Sequence, residues 1–291
     1  VTTVPPLYGV VGSPIAHSRS PALHRAAYAV IGFEARYDRT EIGEGGLRAF
    51  VQAVAGERRG LSVTMPLKRE AFALAVRRDR AAELTGAVNT LYRGESDTAF
   101  SGANTDVGGI VDAVRAGGAV APARVLVLGG GATAASAVVA ARDLGAGSVA
   151  LAVRSADRAV GTVALAREIG LDVDVVALDA VADVPADVVV STLPGGTPLA
   201  ARPTRAREAG AVLLDAAYAP WPGALVEHWF ESDAPVVHGL SMLVRQAARQ
   251  VRFFSGLGDA EWERAAAPVT AAMSDVVGLD HSGLAKRPER S

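Results

Sequence analysis

Short apolar runs alternate with segments of helical period over most of the 291-residue chain. Leu7 to Val11, Ala35 to Tyr37 and Gly60 to Val63 have strand length, and between them lie amphipathic stretches, Pro21 to about Ile31 and Gly45 to Val54. Strand-like runs separated by amphipathic helices are usually joined by crossovers, which implies a largely parallel sheet. A second series starts at Arg124 to Leu128, passes through Ser148 to Val153, Val173 to Ala177 and Asp187 to Val190, and reaches Val212 to Asp215. The joint between the series is a helix from Val107 to about Ala116, closed by Gly117-Gly118 and Pro122. Two further helices, roughly Ser241 to Phe254 and Ala260 to Met273, follow the second series, and the charged, breaker-rich tail from Asp280 to Ser291 is expected to fray. The pattern predicts an α/β protein of two domains, an N-terminal one with a mostly parallel sheet and a C-terminal Rossmann-like one.

Composition sharpens this picture. Half the residues are hydrophobic but only 5% are aromatic, and 31 are Gly, which suits helices packed closely on sheets. A net charge of −2 and a pI near 6.3 provide no basic field for a phosphate backbone, so no nucleic-acid partner is expected. There is no Cys, and the five His show no HxxxH spacing, so no metal is expected either. No apolar run reaches the roughly 18 residues a membrane span needs. The start, Val1-Thr2-Thr3-Val4-Pro5-Pro6, has neither a basic n-region nor an apolar h-region, and a cytoplasmic protein without a membrane partner is expected. A homodimer is compatible with these features, which do not specify an oligomeric state.

The strand Arg124 to Leu128 runs directly into Gly129-Gly130-Gly131-Ala132-Thr133-Ala134, a G-x-G-x-x-A pattern opening a helix of small residues. Gly129 would make the tight turn, Gly131 would let backbone approach a pyrophosphate, and Ala134 would allow close helix–sheet packing. The free N–H groups of the helix start, from Gly130 through Ala132 and Thr133, would face the phosphates. At the end of the next strand, an acidic residue would accept from a ribose 2′-hydroxyl and repel a 2′-phosphate. The chain has Val153-Arg154-Ser155 instead, a forked cation and a hydroxyl that suit a phosphate, so NADP is favoured over NAD. An ordinary exposed arginine at a strand end is the alternative.

Other motifs run from one end of the chain to the other. Tyr8-Gly9-Val10-Val11-Gly12-Ser13-Pro14-Ile15-Ala16-His17-Ser18-Arg19-Ser20-Pro21, Ser62-Val63-Thr64-Met65-Pro66-Leu67-Lys68, Gly86-Ala87-Val88-Asn89-Thr90 and Gly102-Ala103-Asn104-Thr105-Asp106 are followed by Asp215-Ala216-Ala217-Tyr218-Ala219-Pro220 and Gly239-Leu240-Ser241-Met242-Leu243 with Gln246. In order and spacing this set resembles the shikimate dehydrogenase family, over nearly the whole chain from Tyr8 to about Gly256. The resemblance implies NADPH-dependent reversible reduction of 3-dehydroshikimate to shikimate, with the substrate in a cleft. It implies a substrate domain of residues 1–105 plus 239–291 and an NADP domain of residues 106–238. It makes Lys68 and Asp106 the catalytic pair. Ser18, Ser20 and Tyr218 would hold the substrate carboxylate, Thr64, Asn89, Asp106 and Gln246 its hydroxyls, and Thr192, Gly239 and Met242 would join the cofactor site. An NAD-using quinate/shikimate dehydrogenase, or a sensing protein that keeps the fold without chemistry, would share most of these residues.

Simpler roles stand beside the implied ones. Ser20-Pro21 reads as a helix N-cap followed by a first-turn proline, Asp106 as the N-cap of a helix starting at Val107, and Tyr218 as a half-buried tyrosine. Lys68 is less easily dismissed: with Pro66 starting a helix, its ammonium lies in the first turn, where the macrodipole opposes a cation. Such a conflict is typical of functional sites, although a solvated lysine in Lys68-Arg69-Glu70 is the plain alternative. Met242 and Gln246 are one helical turn apart and share a face. Three positions depart from the family pattern: Ser62 and Val153 where Asn is usual, and Gly223 where Thr is frequent.

Overall fold

A computed structural model describes residues 4–54, 56–94 and 97–287. Residues 1–3, at the start tested for a leader, and 288–291, at the end of the tail expected to fray, lie outside the described residues. The chain forms two compact units, Val1–Asp106 with Val244–Gly278, and Val107–Leu243 with Leu279–Ser291. Among the described residues no helix is long and apolar enough to cross a membrane.

The first unit follows the predicted alternation in its first half: β1 (Leu7–Gly12), α1 (Ser20–Ile31), β2 (Arg36–Glu41), α2 (Leu47–Ala53) and β3 (Arg58–Val63). It continues with α3 (Lys68–Leu74), β4 (Arg77–Arg78), α4 (Arg80–Thr85), β5 (Thr90–Tyr92) and β6 (Ser101–Ala103). The sheet order is β2-β1-β3-β5-β6-β4. β1 is parallel to β2 and β3, as crossovers require, but β5 runs antiparallel to both β3 and β6. The short β4, β5 and β6 have no apolar run long enough to announce them. One core face gathers Val11, Leu47, Leu61, Val63, Leu67 and Leu91.

α5 (Thr105–Ala116) leads into the second unit, which holds β7 (Arg124–Leu128), α6 (Ala132–Asp143), β8 (Ser148–Val153), a 3-10 turn, α7 (Val160–Glu168), β9 (Asp172–Ala177) and β10 (Val188–Ser191). Then come α8 (Thr204–Glu208), β11 (Val212–Asp215), α9 (Ala224–Trp229) and β12 (Val236–Val237). The order β12-β11-β10-β7-β8-β9, parallel throughout, is the doubly wound arrangement in which the chain reverses direction between β7 and β10. β9 forms one outer edge. Trp229 is fully buried in the core under this sheet, its indole N–H donating to the Ala211 carbonyl at 2.9 Å.

α10 (Gly239–Ser255) starts in the second unit and belongs to the first from Val244 onward; α11 (Asp259–Val276) then lies against α1. The tail departs from expectation, because Leu284 bridges Val237 and the Ala285 N–H donates to the Val236 carbonyl. Sheet pairing outweighs the breaker-rich composition there.

The first unit also buries polar groups. His24 is fully buried, stacked on Tyr37 at 4.1 Å between centroids, with Nε2 3.3 Å from Gln250 Oε1. Burial lowers its pKa from 6.5 to about 3. The unfolded chain therefore binds a proton here that the folded chain refuses between those values, so this group's contribution destabilises the fold progressively as pH falls from 6.5 toward 3, by about 1.4 kcal/mol per pH unit. His24→Leu is expected to unfold more easily than wild type at neutral pH yet to lose less further stability between pH ~6.5 and ~4. Denaturant titrations of both proteins across that range measure the difference in slope.

Candidate functional site

In the first unit the residues singled out from sequence collect at one end of the sheet, and topology explains why. β1 and β3 are parallel and β5 is antiparallel to β3, so the carboxyl ends of β1, β3 and β6 and the amino end of β5 share an edge. Ser18 and Ser20 follow β1, Thr64 and Lys68 follow β3, Asn89 precedes β5 and Asp106 follows β6. The loops are laced together by backbone: Ser13 N–H donates to Met65 O, Thr64 N–H to Val11 O, Val63 N–H to Asn89 O and Val88 N–H to Lys68 O. Gly12 allows the close approach, since a Cβ there would lie 2.3 Å from Thr64 Cγ2.

α3 starts at Lys68 rather than at the expected Pro66, which still leaves Lys68 in the first turn, and its Nζ donates to Asp106 Oδ2 at 2.5 Å. The side chains are only 14% and 7% exposed, so the pair is largely removed from water. The other carboxylate oxygen, Oδ1, accepts from Asn89 Nδ2 at 2.7 Å. Asn89 Nδ2 also reaches Thr105 Oγ1 at 2.9 Å and Gln246 Oε1 at 3.3 Å, while its Oδ1 accepts from the Thr105 N–H and the Thr90 hydroxyl. Lys68, Asp106, Asn89 and Gln246 thus form one hydrogen-bonded cluster. Thr64 is half-buried on the loop that leads to Lys68.

Two capping expectations are corrected. α5 begins at Thr105, with Asp106 inside its first turn, and the capping oxygen is Asn104 Oδ1, which accepts from the Asp106 N–H at 3.1 Å. Asp106 keeps both carboxylate oxygens for side chains as a result. Ser20 is the first residue of α1 with Arg19 before it as N-cap, and Ser18 Oγ accepts from the Ser20 N–H at 3.3 Å. The Ser20 side chain is buried and caps neither helix end.

In the second unit the glycine turn sits at the carboxyl end of β7, where the sheet order reverses. Gly129 has φ 118°, a conformation that favours glycine, and a Cβ on it would come within 2.4 Å of Thr192 Oγ1. Thr192 is held there by its hydroxyl, which donates to Leu128 O at 2.9 Å. A Cβ on Gly131 would meet nothing within 4 Å, and α6 starts at Ala132 and Thr133 with no side chain capping it. An uncapped helix start in open space fits a dinucleotide pyrophosphate. Gly130 is walled by Val153 Cγ1 and the Arg158 carbonyl, each 3.2 Å from a Cβ placed there. Arg154 and Ser155 are exposed just past β8.

Half-buried Tyr218 follows β11, and Gly239 and Met242 lie at the start of α10, all in this unit. A Cβ on Gly239 would lie 2.7–2.8 Å from the carbonyl oxygens of Asp215, Ala216 and Ala217, so only glycine fits. His238 Nδ1 accepts from the Leu240 N–H at 3.0 Å and thereby anchors the start of α10. Its ring stacks on Trp221, and burial lowers its pKa to about 4, which keeps it neutral and able to accept. The sequence reading missed His238 and, in the first unit, Thr90, Thr105 and Gln250. Gln250 had a legible signal, lying four residues after Gln246 on the same helix face.

Comparison with known proteins gives one family. Residues 10–91 match the family described as the shikimate dehydrogenase substrate binding domain. Shikimate dehydrogenase (NADP(+)) of Aeropyrum pernix is 35% identical over 249 residues, 84% of this chain and 90% of that protein. The crystal structure of Mycobacterium tuberculosis shikimate dehydrogenase, 37% identical, superposes with a TM-score of 0.76 over 92% of this chain and 100% of that one. The Thermus thermophilus enzyme, solved in complex with NADP(H) and shikimate, is 30% identical with a TM-score of 0.76, over 91% of this chain and 99% of that one.

Proposed function

Because the chain belongs to the shikimate dehydrogenase family, an NADP-dependent oxidoreductase family, we propose that it reversibly reduces 3-dehydroshikimate to shikimate with Lys68 and Asp106 as its catalytic pair. The observation that carries this reading is the largely buried 2.5 Å contact between these two groups, bonded on to Asn89 and through it to Gln246. An ammonium withheld from water costs free energy unless a carboxylate faces it, and a pair kept in that state at a sheet edge suits proton transfer better than scaffolding.

The cofactor, when bound, supplies the hydride. Lys68 delivers the proton to the 3-oxygen during reduction and takes it back during oxidation. Asp106 fixes the ammonium in place and, with Asn89, Thr64 and Gln246, orients the substrate hydroxyls; amides serve because each carries donors and an acceptor. Ser18, Ser20 and Tyr218 receive the substrate carboxylate through hydroxyl groups. The first unit is the substrate domain. The second holds NADP by Gly129, Gly130, Gly131, Ala132 and Thr133 at the pyrophosphate, Arg154 and Ser155 at the 2′-phosphate, and Thr192, Gly239 and Met242 toward the nicotinamide.

Absorbance at the nicotinamide band, with shikimate or quinate each offered NADP and NAD, tests the assignment; turnover only with quinate and NAD would refute it. Arg154→Ala is expected to raise KM for NADP far more than KM for NAD, because a lost phosphate contact affects binding and leaves hydride geometry alone. Equal effects would remove Arg154 from the 2′-phosphate.

Lys68→Met keeps the aliphatic stem and removes the proton. Turnover is expected to fall about 10²–10⁴-fold with the fold retained, the usual worth of general acid–base help. Shikimate affinity by calorimetry should change much less. Near-wild-type turnover in a variant of unchanged circular dichroism would end the proposed role.

A further inference from the structure

Asn89 can serve Asp106 only with its NH₂ turned toward the carboxylate, and its amide could rotate the other way at little steric cost. The Thr105 N–H, donating to Asn89 Oδ1 at 2.9 Å, holds that orientation from one side, and a second donor reaches the same oxygen from deeper in the core. The Thr90 hydroxyl donates to Asn89 Oδ1 at 2.7 Å, and that hydroxyl accepts from Gln250 Nε2 at 3.1 Å. Gln250 Nε2 also donates to the Asn89 main-chain carbonyl at 3.0 Å. Its Oε1 accepts from Ser62 Oγ at 2.7 Å, and Ser62 Oγ accepts from the Tyr37 hydroxyl at 2.6 Å.

The direction of every bond in this chain follows from its charged end. A carboxylate oxygen only accepts, so Asn89 Nδ2 donates to it and Asn89 Oδ1 must accept. Thr90 has one hydroxyl proton and spends it on Asn89, so Thr90 must accept from Gln250 Nε2. That leaves Gln250 Oε1 as acceptor for Ser62 and for His24 Nε2–H, a tautomer consistent with the unpartnered His24 Nδ1. Gln250, 2% exposed, is the point where the chain passes between amide nitrogen and amide oxygen.

We propose that Gln250 is a positioning residue: through Thr90 it supplies the second donor that holds the polarity of the Asn89 amide, and so acts on Asp106 at the reacting end of the substrate site. The proposal rests on the roles given above to Asn89 and Asp106. A glutamine is required at this position, because only a side chain with a donor on one branch and an acceptor on the other relays the direction. Ser62, one of the departures from the family pattern, supplies the hydroxyl that meets the acceptor branch.

Gln250→Met keeps the length and removes both polar branches, and Thr90→Val removes only the relaying hydroxyl. Each folded variant is expected to lower kcat/KM for shikimate by about tenfold or more, the scale of one misdirected buried hydrogen bond, with KM for NADP unchanged. Each is also expected to move the side-chain amide resonances of Asn89 by NMR. The double variant should lose little beyond the worse single one, since both act through Asn89. Gln250→Glu separates polarity from packing. Its activity relative to wild type should rise as pH is lowered, because the introduced carboxyl regains a donor only when protonated, whereas Gln250→Met should show no such recovery.

Wild-type kcat/KM with unmoved Asn89 resonances in folded Gln250→Met, or in Thr90→Val should the first variant not fold, would overturn the proposal. A pH-independent ratio for Gln250→Glu would do the same. Moved Asn89 resonances with unchanged kinetics would leave the positioning role standing and remove instead the catalytic reading on which it rests.

Discussion

A lysine ammonium leaves water only against a carboxylate, and the Lys68–Asp106 contact imposes that condition on the rest of the first unit. Lys68 sits at the start of α3, where the helix dipole is unfavourable to it, while Asp106 sits in the first turn of α5, where the dipole favours an anion. The second placement offsets the first. Meeting the condition requires the ends of β3 and β6, separated by β5, to be held in register. Asn89 does this from the amino end of β5, with its side chain bonded to Asp106, Thr105 and Gln246 and its main-chain carbonyl bonded to the Val63 N–H. Once Asn89 is committed, its buried Oδ1 takes the Thr105 N–H and, as a second donor, the Thr90 hydroxyl, and the demand passes inward to Gln250. A single ion pair thereby dictates polar residues where a sheet core would otherwise be apolar.

The second unit is organised by a different constraint, the space left for backbone. Gly129, Gly130 and Gly239 lie where a Cβ would press on Thr192, on Val153 and Arg158, or on three carbonyl oxygens, whereas Gly131 opens on empty space beside an uncapped helix start. Close packing on most sides and openness on one leaves helix N–H groups as the site's main chemical offering. Arg154 and Ser155, at the end of the neighbouring strand, add side-chain specificity to what is otherwise a backbone site.

The parallel halves of both sheets were legible because βα alternation has a period that composition cannot imitate, and the G-x-G-x-x-A turn was legible from its place between strand and helix. β5 and β6 were not, since Thr90-Leu91-Tyr92 and Ser101-Gly102-Ala103 are too short to show alternation. Lys68 stood out because its helix position conflicts with its charge. The caps were misread: Asn104 caps α5 where Asp106 was expected to, and Arg19, with no capping side-chain bond, precedes α1 where Ser20 was expected, because cap assignment depends on a register of one or two residues that sequence leaves loose. The inner chain through Gln250 was out of reach for another reason. Its partners Ser62 and Asn89 stand more than a hundred residues away in sequence, and no local pattern reports a contact of that span.

The edge strands carry a consequence of their own. β2 closes one side of the first sheet with Arg36, Asp38, Arg39 and Glu41, and β9 closes one side of the second with Asp172 and Asp174. An unpaired strand edge is a template on which another chain can add itself, and β9 would be an inviting one, since Val173, Val175 and Val176 have high β-propensity. Its two aspartates, on the same side of the strand, set like charges against like wherever two such edges meet in register. Crowded, half-synthesised or briefly opened molecules are thus discouraged from joining into aggregates, a protection that contributes nothing to turnover and is present before either ligand arrives.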